Sequence, residues 1–310
     1  MTDTNMLNLL EDLLAKAKAK GADAADAVHI ESQSLAVAQR LGNPEKLERS
    51  ESADIGLRAL VGKRQAIVSS SDINPDALDE LVERVVAMAK SVPEDPYCGL
   101  ADPDQLATGI VDVDSCDPSE PSTETLVDWA NRAEDAARAI KGITNSEGAE
   151  AGWGRATVCV AATNGFAQTY SGSHYSLSAS VLAGEGTGME RDYDYTGAVY
   201  AEDMMSPEEV GTNAGEKTIK RLNPQKPASA EVPVIYDPRV SRGIVGHLAS
   251  AINGSSIARD TSFLKDKMGA QIFPENITIY DDPHRPRGLR SKPFDGEGVA
   301  NQKRKIIDNG

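Results

Sequence analysis

The stretch GRATVCVAATNGFAQTYSGSHYSLSASVLAGEG, residues 154–186, decides the fold class. Apolar residues alternate with polar or small ones on either side of Asn164-Gly165. That dipeptide is the strongest short signal for a two-residue type I′ hairpin turn, in which both central residues need positive φ. Two antiparallel strands are expected here, and the segment reaching Tyr200 is expected to add another. Upstream, STETLVDWANRAEDAARAIKG places Leu126, Trp129, Ala133, Ala137 and Ile140 along one side of a helix that Gly142 ends. Downstream, Ser206 to Glu209 (SPEE) reads as a capping box with Pro207 at the first helical position.

The first part of the chain has a similar character. Met6, Leu10, Leu13, Leu14 and Ala17 keep helical spacing up to Gly21, and VHIESQSLAVAQR reads as a strand. ADIGLRALVGKRQAIVSSS holds two short runs around a Gly-Lys-Arg turn, and NPDALDELVERVVAMAKSV returns to helical period. The class expected is α+β: an N-terminal domain of helices on a mainly antiparallel sheet, then a β-rich second domain that is incomplete in this chain. Boundaries are expected at 1–92, a Pro-, Asp- and Ser-rich linker at 93–122, a helix-plus-hairpin region at 123–225, and a further domain from 226 to 310. Within that last region PVIYDP (233–238) reads as a short buried strand. Asp237 and Pro238 then start a helix that Gly254 stops. KRKIIDNG (303–310) reads as one arm of a hairpin, from which a longer parent protein is expected.

Composition narrows the function classes. The net charge is −16 in 310 residues, which argues against a phosphate-binding surface, since nucleic-acid affinity rests on Lys and Arg. No direct nucleic-acid or membrane partner is expected: no apolar run is long enough to span a bilayer, and MTDTNMLNLLEDLL lacks the basic start of a secretory signal. Cys98, Cys116 and Cys159 form neither a disulfide framework nor a CxxC pair, which fits a cytoplasmic protein.

The candidate chemistry lies in GIVGHLASAING, residues 243–254. A zincin helix needs HExxH because histidines four apart point the same way and the glutamate acts as general base. Here Leu248 follows His247, Ala251 stands four residues on and Ile252 five. None of the three can bind zinc or take a proton. His29, His174 and His284 show no ligand spacing. His247 shares a predicted face with Val240, Ile244, Leu248 and Ala251, which reads as a core or interface histidine. GEGTG (184–188) lacks the Lys-Ser/Thr of a P-loop, and neighbouring Ser173 and His174 would face opposite ways on a strand. Arg285, Arg287, Arg290 and Lys292 form a basic cluster on an acidic chain, either a solvated face or a docking site for an acidic partner.

Three stretches together resemble the TldD/PmbA proteins, also labelled modulators of DNA gyrase, and within them the PmbA (TldE) branch. They are GHLASAINGSSIARDTSFLKDKMGAQIFPENITIYDDP, PFDGEGVANQKRKIIDNG and ALVGKRQAIVSSS, and the resemblance runs from about Leu7 to Gly310. It implies a cytoplasmic metallopeptidase of two related subunits that trims leader peptides and degrades small unfolded proteins. In the TldD-like subunit HExxxH and a later cysteine hold zinc. Here His247 matches the first histidine, while Leu248 and Ile252 replace the glutamate and the second histidine, and the cysteine would lie beyond Gly310. The resemblance therefore implies no catalytic residue and no zinc in this chain, zinc in a TldD-like partner, and oligomer formation, including a homo-oligomer when isolated. An autonomous metallopeptidase with an unrecognised site and a regulatory protein that binds DNA gyrase stand as alternatives.

Overall fold

In the computed structural model, which describes residues 3–310, the strands are β1 (Ala24–Arg40), β2 (Asn43–Val61), β3 (Arg64–Ser70), β4 (Ile143–Ala162), β5 (Ala167–Ala183) and β6 (Glu190–Ala198). They form one sheet in the order β3-β2-β1-β4-β5-β6, antiparallel throughout. The regions 1–92 and 123–225 thus share a sheet, joined where Asp26 to Gln39 pair with Ala162 to Ala149.

The hairpin at Asn164-Gly165 forms with a different turn from the one expected. Only Gly165 has positive φ (96°), and its N–H donates to the Ala162 carbonyl at 3.0 Å. This matches a three-residue loop ending in a left-handed glycine, not a type I′ turn. Asn164 uses its side chain to reach out, donating from Nδ2 to the Ala101 carbonyl at 3.0 Å. The two-residue turn with both central φ positive lies at Leu41-Gly42, 52° and 75°, between β1 and β2. Leucine is a poor residue for that conformation. The cost is offset by Glu134, which is 1% exposed and accepts hydrogen bonds from the Leu41 and Gly42 amides at 2.8 and 3.3 Å.

Odd-numbered residues of β1, β2, β4 and β5 face the helices, as the two-residue side-chain period requires. Near one end, Ala27, Leu57 and Ala161 pack with Leu10 and Leu13 of α1 (Asp3–Ala19) and Leu81 and Val85 of α2 (Pro75–Ser91). Near the other, Val37, Ala151, Leu177 and Val181 pack with Leu126 and Ala133 of α3 (Thr123–Arg138) and Val210 of α4 (Pro207–Lys220). The α3 and α4 backbones approach so closely that a Cβ at Gly211 would stand 2.0 Å from the Ala133 carbonyl oxygen. Glycine is the residue that permits this contact.

Residues 93–122, read from composition as a linker, run along the sheet with a 3-10 turn at Pro103–Gln105. Cys98, Val113 and Asp117 are buried. The segment 282–302 pairs with it: Ala107 donates to the Gly298 carbonyl and Ala300 to the Gln105 carbonyl, both at 2.9 Å. Phe294, 1% exposed, packs edge-on against Phe166 and Tyr170 on the face of the sheet opposite the helices. The compact unit containing the sheet accordingly ends at Asn223 but also includes Asp282–Gln302.

Pro224–Asp281 and Lys303–Gly310 form a second unit. It contains α5 (Pro238–Ala251), α6 (Gly254–Ala258) and a two-stranded sheet of β7 (Ile279–Asp281) with β8 (Arg304–Ile307). Three local expectations are corrected here. PVIYDP forms no strand and is exposed, with Ile235 at 94%. Gly254 does not stop α5: Ile252 is its C-cap, and Asn253 caps α6 by accepting from the Ser255 amide. The arm KRKII is paired, Ile307 opposite Ile279, while the Gly310 carbonyl accepts from Ile272 and Phe273 at 2.8 and 3.0 Å. Among the described residues, no helix is long and apolar enough to cross a membrane.

Replacing Glu134 by alanine strands two turn amides that it now satisfies. Urea denaturation is expected to show a loss of about 1.5–3 kcal/mol, with faster exchange of the Leu41 and Gly42 amides. A loss within error of zero would mean the turn holds itself.

Candidate functional site

Helix α5 starts as the sequence dictates: the Asp237 carboxylate accepts from the Arg239 amide at 2.9 Å and Pro238 occupies the first turn. Its buried side is narrow. Leu248, 5% exposed, and Ala251 are buried, whereas Val240, Ile244 and His247 are exposed. The reading of His247 as a core residue is therefore corrected, because the helix rotates Leu248 inward and turns its predecessor to the surface. Ile252 stands just past the last turn with φ −90° and ψ 0°.

Ile252 lines a cavity of about 730 Å³ together with Ile257, Leu264, Met268, Ile272 and Ile307. The cavity gathers the end of α5, the segment after α6 and the last residues, Asp308 to Gly310. Its wall is fixed by Ser262, whose hydroxyl donates to the Ala251 carbonyl at 2.5 Å and accepts from the Leu264 amide at 3.0 Å. A serine bonding a backbone amide two residues on is a readable turn signal, and it is the feature of this site that the sequence reading missed. The lining contains no histidine or cysteine, and its acids are Glu275 and Asp308.

These residues do not fit a catalytic zinc site. The position next to His247 is a buried leucine, the position five on is an isoleucine lining the cavity, and the described residues include no group of His, Cys, Asp and Glu arranged to hold a metal.

The basic cluster divides. Arg285, Arg290 and Lys292 are exposed. Arg287 is engaged within the first unit: its Nε donates to Asp114 at 2.7 Å, and its Nη1 reaches Glu202 at 2.5 Å and Asp203 at 3.2 Å. Its guanidinium lies 3.8 Å from the Tyr200 ring centre, and the Tyr200 hydroxyl donates to Asp114 at 2.5 Å. The hydrogen bonds from Tyr200 and Arg287 hold the Asp114 carboxyl below its usual range, and Asp114 pushes the Tyr200 phenol up to about 12. Arg287 thus fastens the 282–302 segment.

Comparison with known proteins places this arrangement. Residues 25–89 match the model of PmbA/TldA metallopeptidase domain 1, 116–222 the central domain, and 229–310 the C-terminal domain. Metalloprotease PmbA of Escherichia coli O157:H7 is 36% identical over 96% of this chain and 66% of its own length. The metalloprotease PmbA homolog of Haemophilus influenzae is 37% identical over 89% of this chain and 61% of its own length. The chain therefore spans less than two thirds of these relatives. A crystal structure of a candidate modulator of DNA gyrase from Bacteroides thetaiotaomicron superposes with a TM-score of 0.91 at 25% identity, covering 100% of this chain and 71% of that one. TldE from Thermococcus kodakarensis, at 20% identity and a TM-score of 0.77 over 97% of this chain and 68% of that one, shares the fold. The chain belongs to the PmbA/TldD metallopeptidase family.

Two outcomes test this description. Leu248→Glu, which writes the missing glutamate into the motif, buries an unpaired carboxylate and is expected to cost about 3–5 kcal/mol in chemical denaturation. A neutral effect would show that Leu248 does not pack. Asp114 has a depressed folded pKa, so its contribution is present above the ordinary carboxylate range of about 4 and is lost as pH falls through the folded value. Amides of 282–302 are expected to lose exchange protection on acidification, an acid dependence that Arg287→Ala reduces.

Proposed function

We propose that this chain is a PmbA/TldE-like subunit of a heteromeric TldD/TldE zinc metallopeptidase, a cytoplasmic complex acting on leader peptides and small unfolded proteins. The zinc belongs to the TldD-like partner, and this subunit supplies no metal ligand. One observation carries the reading: the two positions at which the zinc motif needs a glutamate and a second histidine hold Leu248, buried, and Ile252, lining a cavity with no histidine or cysteine in its wall. An apolar side chain neither takes a proton nor binds a metal. The exposed Arg285, Arg290 and Lys292 are offered to an acidic partner surface, where charge sets encounter rate more than affinity.

The name metalloprotease carried by the PmbA relatives favours a second reading, an autonomous peptidase with a site outside this motif. One experiment separates the two. The full-length protein is purified alone and with a TldD-like subunit, zinc is measured in each, and cleavage of an unstructured peptide is followed. Zinc and cleavage are expected to follow the TldD-like subunit and the pair. Stoichiometric zinc with chelator-sensitive cleavage in this protein alone would overturn the proposal.

A further inference from the structure

The helix-bearing face of the large sheet is apolar near α1 and α2 and again near α3 and α4, but between these blocks its residues are polar. Glu31 and Gln33 on β1, Thr157 and Arg155 on β4, and Ser171 and Ser173 on β5 form a belt across three strands. The register sets Glu31 opposite Thr157 and Thr157 opposite Ser171, then Gln33 opposite Arg155 and Arg155 opposite Ser173. A cavity of about 360 Å³ lies over it, lined by Glu31, Gln33, Cys116, Arg155, Thr157 and Ser171.

The charges in this cavity are underused. Among the described residues Glu31 has neither a hydrogen-bond nor an ion-pair partner in the structure. Among the described residues Arg155 reaches a carboxylate only at Glu120, 4.0 Å away, which Arg49 holds more closely at 2.8 Å, and its guanidinium lies 5.5 Å from the Trp153 ring centre. Glu31 and Arg155 are diagonal neighbours, a relation that spaces backbones about 7–8 Å apart, and they do not pair. His29, on the same face one step along β1 and 3% exposed, has no hydrogen bond to its ring among the described residues. Burial lowers its pKa, so the ring is neutral at pH 7 and offers one donor and one acceptor.

We propose that this cavity binds a small zwitterion of the α-amino-acid type, its carboxylate on Arg155 and its ammonium on Glu31. Thr157 and Ser171, whose hydroxyls lie 2.9 Å apart, complete the polar wall. A phosphate or a dicarboxylate would meet Glu31 unopposed, and an apolar ligand would leave the wall without partners. A zwitterion answers both charges, and the planar fork of arginine suits a carboxylate. The volume accepts a free amino acid or a dipeptide. The site belongs to the first unit and does not depend on how the chain's peptidase role is assigned.

Titration calorimetry with glycine, leucine, glycylglycine, N-acetylglycine and glycinamide tests it. Saturable binding of the unblocked probes, with Kd on the order of 1 mM, is expected, together with at least about tenfold weaker binding when either end is blocked. Tighter binding of the amino acids assigns a free metabolite, and tighter binding of glycylglycine assigns peptide ends. Glu31→Gln, at an exposed position, and Arg155→Lys are expected to weaken binding with unchanged far-UV circular dichroism. No saturable heat from any unblocked probe up to about 20 mM, twenty times that expected Kd, would overturn the proposal. So would binding that ignores both the end groups and the substitutions.

Discussion

The pairing of β1 with β4 is the constraint on which the first unit depends. Its partners lie from 110 residues apart (Gln39 opposite Ala149) to 136 apart (Asp26 opposite Ala162), yet its fourteen residue pairs keep one register without a bulge. A shift of one residue would turn every core alanine and valine on β1 to the opposite face. The pairing therefore sets which side meets the helices, and both helix pairs pack on that side. Glu134 extends the same constraint, because α3 cannot settle on the sheet without meeting the Leu41-Gly42 turn.

Much of this was legible in the sequence. The helices α2 and α3 follow their apolar spacing, Ser206 and Asp237 cap where capping residues stand, and the strands around Asn164-Gly165 alternate as a half-buried sheet should. What failed to show did so for physical reasons. Asn43 to Ser52 form a strand with every side chain exposed, so no apolar alternation marks it; its pairing with β1 fixes it instead. The start of β4 is hidden by Gly148, Gly152 and Gly154, which read locally as breaks. PVIYDP misled in the other direction: its composition is that of a buried strand, and its surroundings in the second unit leave it exposed.

The candidate sites were legible to different degrees. The cap and the buried leucine of α5 could be read from local chemistry, but where the helix stops and whether His247 was covered depended on which neighbours the helix found. The role of Arg287 could not be read at all. Its partners Asp114, Tyr200, Glu202 and Asp203 lie 84 to 173 residues away, and only the fold brings them together. The polar belt had a readable trace, since the apolar alternation of β1 lapses at Glu31 and Gln33 and that of β4 at Arg155 and Thr157. The lapses gain meaning only when register places them side by side.

The α5 motif and the polar belt also differ in what each leaves unsatisfied. In α5 the end carbonyl of Ala251 is taken by Ser262, Leu248 is buried, and the cavity beside Ile252 is lined by aliphatic side chains together with Lys265, Lys267, Glu275 and Asp308. Neither Leu248 nor Ile252 carries a side-chain donor or acceptor, so neither leaves a polar group unanswered. In the belt, a carboxylate, a loosely held guanidinium and a buried imidazole share one face with spare hydrogen-bonding capacity. Buried polar groups are costly unless something answers them. That standard applies in the belt to the buried ring of His29, whereas the Glu31 carboxylate is exposed and can meet a ligand without first being stripped of a protein partner.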